Sequence, residues 1–272
     1  MNKAKLHLVV TPIGNLKEFN ERAIEILKEV DIIACEDTRN SLKLLSHFDI
    51  HTKLITYHNF NEKNSSDGII KLLNDGKNFA LISDAGYPLI SDPGFELVKK
   101  VIEENIEIDV IGGNNAALNA LIASGIDTSH YLFYGFLNAK STSAKKQLNE
   151  LKDFPYTLIF YEAPHRINKT LNIIYEIFGD RKICIARELS KIHEEYIRGY
   201  LSELINIDEI KGEIVLIVEG NKEEKKIDED ELIKEIDILV KKGIKVKEAC
   251  EIISKNINIS KNKLYSLYNK NH

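Results

Sequence analysis

The 272-residue sequence holds no run of about 18 apolar residues, so nothing in it reads as a membrane span. Its beginning, MNKAKLHLVV, lacks an h-region with a small-residue cleavage site, which makes the cytoplasm the expected compartment. Cysteine is scarce: Cys35, Cys184 and Cys250 stand far apart within apolar patterns, and no Cys/His pair has zinc spacing. They read as buried small hydrophobes, and neither a disulfide nor a metal site is expected. Arginine is scarce as well. Of 37 basic residues only Arg22, Arg39, Arg166, Arg181, Arg187 and Arg198 are arginines. An arginine kept against that bias points to a place that needs a planar, bidentate donor. The formal charge of −5 argues against a protein that coats nucleic acid by bulk charge, while leaving room for a local basic patch. Both familiar phosphate signatures are missing: no G-x-G-x-x-G follows a strand and no G-x-x-x-x-G-K-[ST] occurs.

What is present is a regular alternation. LHLVV, VDIIAC, KLITY, NFALIS and IDVIG each precede a helix-like stretch, near Glu18–Glu29, Asn40–Phe48, Asn61–Asn74, Phe95–Glu104 and within AALNALIAS. Unbroken apolar strands between helices predict βα units around a parallel sheet buried on both faces. After Gly125 the strands crowd together: YLFYGF, TLIFYE, KICIAR, YIRGYL and GEIVLIVEG have only two clear helices among them, near Ser143–Lys152 and Arg166–Phe178. This predicts a second α/β domain with a mixed sheet. From Asn221 the strands stop, and three short helices follow: one capped by Asp228 and ending before Gly243, one in KVKEACEIISKNI, and one capped by Ser260. The expected boundaries are residues 1–114, 115–222 and 223–272.

Three strand-to-helix junctions of the first domain carry glycine or proline: TPIGNL, SDAGYPLISDPG and IGGNNAA. In an open parallel sheet these junctions share the carboxyl edge, where ligands bind. Each alone is an ordinary tight turn; together they favour a pocket whose ligand meets the backbone. CEDTR, FYEAPHR and ARELSK follow strands too, and place Arg39, Arg166 and Arg187 at strand ends, which favours recognition of an anion.

TPIGNL, EDTR, SDAGYPLISDPG, FYEAPHR, ARELSK and KGEIVLIVEG, in this order, closely resemble the bacterial ribosomal RNA small subunit methyltransferase I family of the tetrapyrrole methylase superfamily. The resemblance runs from about Leu6 to Gly220, and the tail resembles that family's helix-turn-helix-like domain. It implies two α/β domains, usually in a homodimer, with S-adenosylmethionine folded into the cleft. It further implies methyl transfer to the ribose 2′-hydroxyl of a cytidine in 16S rRNA, within the small ribosomal subunit or an assembly intermediate. Matched motif by motif, Pro12, Ala85, Gly86, Tyr87, Ile90, Asn115, Ala116, Glu162 and Leu189 would line the cofactor. Asp37, Glu36 and His58 are the candidates for activating the hydroxyl, and Arg39, Arg166, Lys140 and Lys145 for holding RNA phosphates.

The sequence departs from the family pattern in three places. Tyr87 stands where Thr is common, Gly112-Gly113-Asn114-Asn115 where Pro-Gly-Pro-Ser is common, and GFLNAK replaces GFLPRK. The first two touch the cofactor loops; for the third, Lys140, Lys145 and Lys146 supply positive charge nearby. Two other readings stay open at this level: a methylase of a small tetrapyrrole or other substrate, and a non-catalytic RNA-binding or assembly factor. EDTR and the helical tail speak against the first, while the altered Gly112–Asn115 loop is the support for the second.

Overall fold

The computed structural model describes residues 4–57, 62–208, 210–222, 229–255 and 259–271, with residues 62–65 described by backbone alone. Strands β1 (Lys5–Val9), β2 (Ile32–Cys35), β3 (Lys53–Thr56), β4 (Phe79–Ile82) and β5 (Glu107–Ile111) form a wholly parallel sheet in the order β3-β2-β4-β1-β5. Helices α1 (Glu21–Glu29), α2 (Thr38–His47), α3 (Glu62–Asn74) and α4 (Phe95–Glu103) connect them. Ile33 and Cys35 join Val9, Leu27 and Leu45 in one core cluster, whereas Ile32 and Ala34 join Leu6, Leu73 and Leu97 in another. Successive residues thus enter opposite cores, which is why the central strands read as unbroken apolar runs. The edge strands depart from that expectation. Lys53, Thr56 and Glu107 reach water at the two ends of the sheet.

The second sheet is mixed, as its spacing predicted. Strands β6 (Tyr131–Phe136), β7 (Thr157–Glu162), β8 (Lys182–Arg187), β9 (Glu195–Tyr200) and β10 (Ile214–Val218) lie in the order β6-β7-β10-β8-β9, and only β6 and β7 run parallel. Helix α5 (Ala116–Ala123) covers one face, packing Ala117, Ala120 and Leu121 on Ile159, Cys184 and Ile217. Helices α6 (Ser141–Leu151) and α7 (Ile167–Phe178) cover the other, with Leu148, Leu171 and Ile174 on Phe160, Ile185 and Leu216. A one-turn helix, α8 (Leu201–Leu204), departs from the expectation, because YIRGYL reads as strand throughout. It starts there because the Tyr200 amide donates to Glu203 Oε2 at 2.8 Å, closing a cap.

Local capping also moves two expected boundaries. The Asp37 carboxylate accepts from the Arg39 amide at 2.9 Å, so α2 begins inside EDTR instead of at Asn40. Asn20 caps α1 by accepting from the Ala23 amide at 2.7 Å, which separates α1 from a 3₁₀ turn at Leu16–Glu18.

The chain divides into two compact units, Met1–Asn221 and Lys222–His272. The smaller unit consists of α9 (Glu229–Lys241), α10 (Val246–Ser254) and α11 (Lys261–Asn271) around Ile236, Ala249, Cys250 and Leu264. Gly243, at φ 88°, ends the turn after α9. Asp228, the expected cap of α9, lies outside the described residues. All three cysteines are buried and unpaired. Among the described residues no helix is long and apolar enough to cross a membrane.

Candidate active site

The loop between β4 and α4 bends back on the end of β1. Thr11 and Gly86 exchange backbone hydrogen bonds at 3.0 and 3.1 Å, and the Ser83 hydroxyl donates to the Gly86 carbonyl at 2.8 Å. Four residues of this loop take positive φ: Gly86 (82°), Leu89 (71°), Ser91 (67°) and Gly94 (141°). Two of them carry side chains, so glycine alone did not mark how far the loop bends. Tyr87 then reaches the loop after β5. Its hydroxyl lies 3.3 Å from both the nitrogen and the oxygen of Gly113, whose own Cβ would come within 2.9 Å of Val10. The departures at Tyr87 and at Gly112–Asn115 therefore meet in space. Glu18, just after TPIGNL, accepts from Asn114 and from the Ser190 hydroxyl, and a Cβ on Gly14 would lie 3.0 Å from the Leu189 carbonyl, so ARELSK docks against the segment after β1.

These loops surround a cavity of about 680 Å³, within the range of small-ligand sites. One wall is the β4–α4 loop with Ile13; the next is Asn115 and Ala116 at the start of α5, where the Asn115 side chain accepts from the Leu118 amide at 3.0 Å. The second sheet supplies Phe136, Tyr161 and Glu162 from β6 and β7, and Gly212 to Val215 at the start of β10. Of the residues matched to the cofactor, Ala85, Gly86, Tyr87, Ile90, Asn115, Ala116 and Glu162 line this cavity. Pro12 lines instead a neighbouring cavity of about 230 Å³, with Leu16, Asn40, Lys43 and Leu44; Asp84 borders both. Leu189 lies in the core beside Ile13 and Ala117. Asp92, Phe136, Tyr161, Glu213 and Val215 are additions that the sequence does not single out. Each stands in a stretch quoted for its motif, SDPG, GFLNAK, FYEAPHR or KGEIVLIVEG, but nothing in those stretches marks it as facing a cavity.

The lining is acidic. Asp84, Asp92, Glu162, Glu188 and Glu213 face a single lysine, Lys191, which donates to Glu188 at 2.9 Å and Glu213 at 3.0 Å. That pairing holds the Glu188 carboxyl below its ordinary range. Asp92 behaves oppositely: burial, then the nearby charges of Glu36 and Asp84, push its carboxyl up to about 6. Burial also raises the Tyr161 phenol.

The other candidates are placed differently. Asp37 caps α2 and binds the Arg39 guanidinium through both oxygens, at 3.2 and 2.9 Å, which lowers its carboxyl to about 2 and makes it a poor proton acceptor. Neither Asp37 nor Glu36 lines the cavity. His58 lies outside the described residues. The Arg39 side chain is 86% exposed. Arg166, expected at a phosphate, turns inward and donates to Glu162 and to the Leu137 carbonyl. Lys145 pairs with Glu176 at 2.7 Å, while Lys140 is exposed at the start of α6.

Residues 5–205 match the family of Tetrapyrrole (Corrin/Porphyrin) Methylases. The chain belongs to the tetrapyrrole methylase family. Two solved structures share this methylase fold: a uroporphyrin-III-C-methyltransferase from Thermus thermophilus (TM-score 0.56, 16% identity) and the cobalt precorrin-4 methyltransferase (TM-score 0.60, 13% identity). Each covers 79% of this methylase chain and 94% of its own. Much higher identity is found to ribosomal RNA small subunit methyltransferase I. The Bacillus subtilis protein is 47% identical over 97% of this chain and 93% of its own length. That of Halalkalibacterium halodurans is 43% identical over 99% and 96%.

Proposed function

We propose that this methylase transfers the methyl group of S-adenosylmethionine to the 2′-hydroxyl of a cytidine ribose in 16S rRNA. One observation carries the choice of substrate. The porphyrin and corrin methylase structures extend over 79% of the chain, whereas the ribosomal RNA methyltransferases extend over 97–99%. Relatives named for an RNA substrate therefore share nearly the whole chain, and the tetrapyrrole enzymes share a shorter part.

The cavity supports the cofactor. Five carboxylates against one lysine suit a cationic sulfonium and disfavour a phosphorylated nucleotide. Ile13, Ile90, Tyr161 and Val215 offer apolar surface to a purine, and the start of α5 brings the positive end of its dipole to the wall. When bound, S-adenosylmethionine supplies an already activated methyl group, so the protein's task is to orient the acceptor and take its proton. The target ribose has to meet the methyl group in the large cavity, and the smaller cavity, with Lys43 beside Leu16 and Leu44 and with Asp84 in common, suits a flanking nucleotide. Arg39 and Lys140 are the exposed cations for neighbouring phosphates, and the active species is a homodimer acting on the small subunit or an assembly intermediate.

Calorimetry should give micromolar affinity for S-adenosylmethionine, and mapping of ribose methylation should reveal one modified cytidine in 16S rRNA after incubation with small subunits. Absence of binding at millimolar cofactor, or unmodified rRNA despite binding, would refute the reading at one or the other step.

A further inference from the structure

We propose that Asp92 is the catalytic base, accepting the proton of the ribose hydroxyl as that oxygen is methylated. The inference rests on the reading of the cavity as the methyl-transfer site. Among the carboxylates of the lining, Asp92 alone combines three properties. It borders the large cavity, its burial is partial, and no hydrogen bond or ion pair holds it among the described residues. The others are engaged: Glu162 by Arg166 and Thr170, Glu188 and Glu213 by Lys191, and Asp84 by Asn40 at 2.9 Å.

Its position is built by both halves of the larger unit. Ser91 at φ 67° and Gly94 at φ 141° hold the SDPG turn, and the turn lies against β6 at Gly135. The ladder between β6 and β7 shifts register there, and a Cβ on Gly135 would lie 3.4 Å from Ser91 Oγ. Around Asp92 stand Glu36 from the end of β2, Asp84 from its own loop and Tyr161 from β7. The two carboxylates and burial keep the proton on Asp92 up to a pH of about 6, so at neutral pH it is an ionised but comparatively strong base. Asp37, lowered to about 2, cannot serve in this way.

The step balances. The ribose oxygen forms a bond to the methyl carbon, the carbon–sulfur bond breaks with its electron pair returning to sulfur, and the hydroxyl proton passes to Asp92. A sulfonium and a carboxylate become a thioether and a carboxylic acid.

The test uses Asp92→Asn, which keeps size and removes the ionisable group. The variant should melt within about 2 °C of wild type and bind S-adenosylmethionine within about fivefold, yet methylate small subunits in single turnover at least about 100-fold more slowly. A readout without turnover is ¹³C NMR of aspartate-labelled protein, with the variant identifying the Asp92 signal. In cofactor-free protein this signal should titrate near 6, and added S-adenosylmethionine should lower its midpoint more than the uncharged thioether product does. A variant within about threefold of wild-type rate, or an Asp92 signal titrating near 4, overturns the assignment. Wild-type protein that binds no cofactor overturns the reading of the cavity itself, and calorimetry on wild type separates that failure from the other two.

Discussion

Glu162 sits at the edge of the cavity with its side chain 1% exposed, and every hydrogen bond it makes is internal. One oxygen accepts from the Ala163 amide at 2.7 Å and from Arg166; the other accepts from the Thr170 hydroxyl at 2.5 Å. Arg166, 19% exposed, depends on that carboxylate for its charge balance. Glu162→Ala should therefore cost about 3 kcal/mol, chiefly because a largely enclosed guanidinium loses its partner. That corresponds to a fall in melting temperature of roughly 6–12 °C. Glu162→Gln, which keeps shape and an acceptor but removes the charge, should lose most of the same stability, and a Gln variant as stable as wild type would refute the ion-pair argument. Most of the scarce arginines are likewise tied within the chain. Arg22 binds Asp109, Arg187 binds Glu195, and Arg181 and Arg198 donate to backbone carbonyls. Planar forks are needed here, but mostly to tie one part of the chain to another. Arg39 is the one of the three strand-end arginines whose side chain stays largely in water.

At the scale of elements, the β4–α4 loop concentrates both strain and chemistry. Gly94 begins α4 at φ 141°, and a Cβ there would come within 2.9 Å of Leu81 and Leu89 side chains. Gly94→Ala should destabilise by about 2 kcal/mol and weaken cofactor binding, since relief requires the loop to move. Denaturant unfolding of the variant checks this, and an unchanged midpoint would mean the loop yields without cost. Much of this region is legible in the sequence. Glycine, proline and strand ends locate the three junctions of the parallel sheet, because those residue types answer to local backbone demands. The facing wall is not legible. Phe136 and Tyr161 lie on strands that look like any core strand, and what turns them to the cavity is the pairing order β6-β7-β10, a long-range fact. Asp92 stands inside a legible motif, yet a turn aspartate needs no further explanation until its surroundings are known.

At the scale of the whole molecule, the chain divides at Lys222 into two compact units. Every residue bordering the large cavity precedes Asn221, and the larger unit has its own four core clusters. The smaller unit closes its own core on Leu232, Ile236, Ala249 and Leu264. From Lys241 onward it carries eight lysines against Glu248 and Glu251, a local net of +6. Glu251 binds Lys261 and lies 4.0 Å from Lys255, and Lys247 lies over the Tyr265 ring. Exposed pairs of this kind contribute little to stability, and we propose that the excess charge binds phosphates. Removing residues 223–272 should leave the melting temperature and the affinity for S-adenosylmethionine unchanged while weakening binding to small subunits. The salt dependence of that binding should become shallower, by roughly one in the slope of log K against log salt for each phosphate the tail no longer neutralises. If the tail instead served to cover apolar surface, the truncated chain would melt earlier or aggregate and keep the full salt slope. Both quantities can be read on one sample, and a stable truncation with an unaltered slope would leave the basic tail without a part in RNA binding.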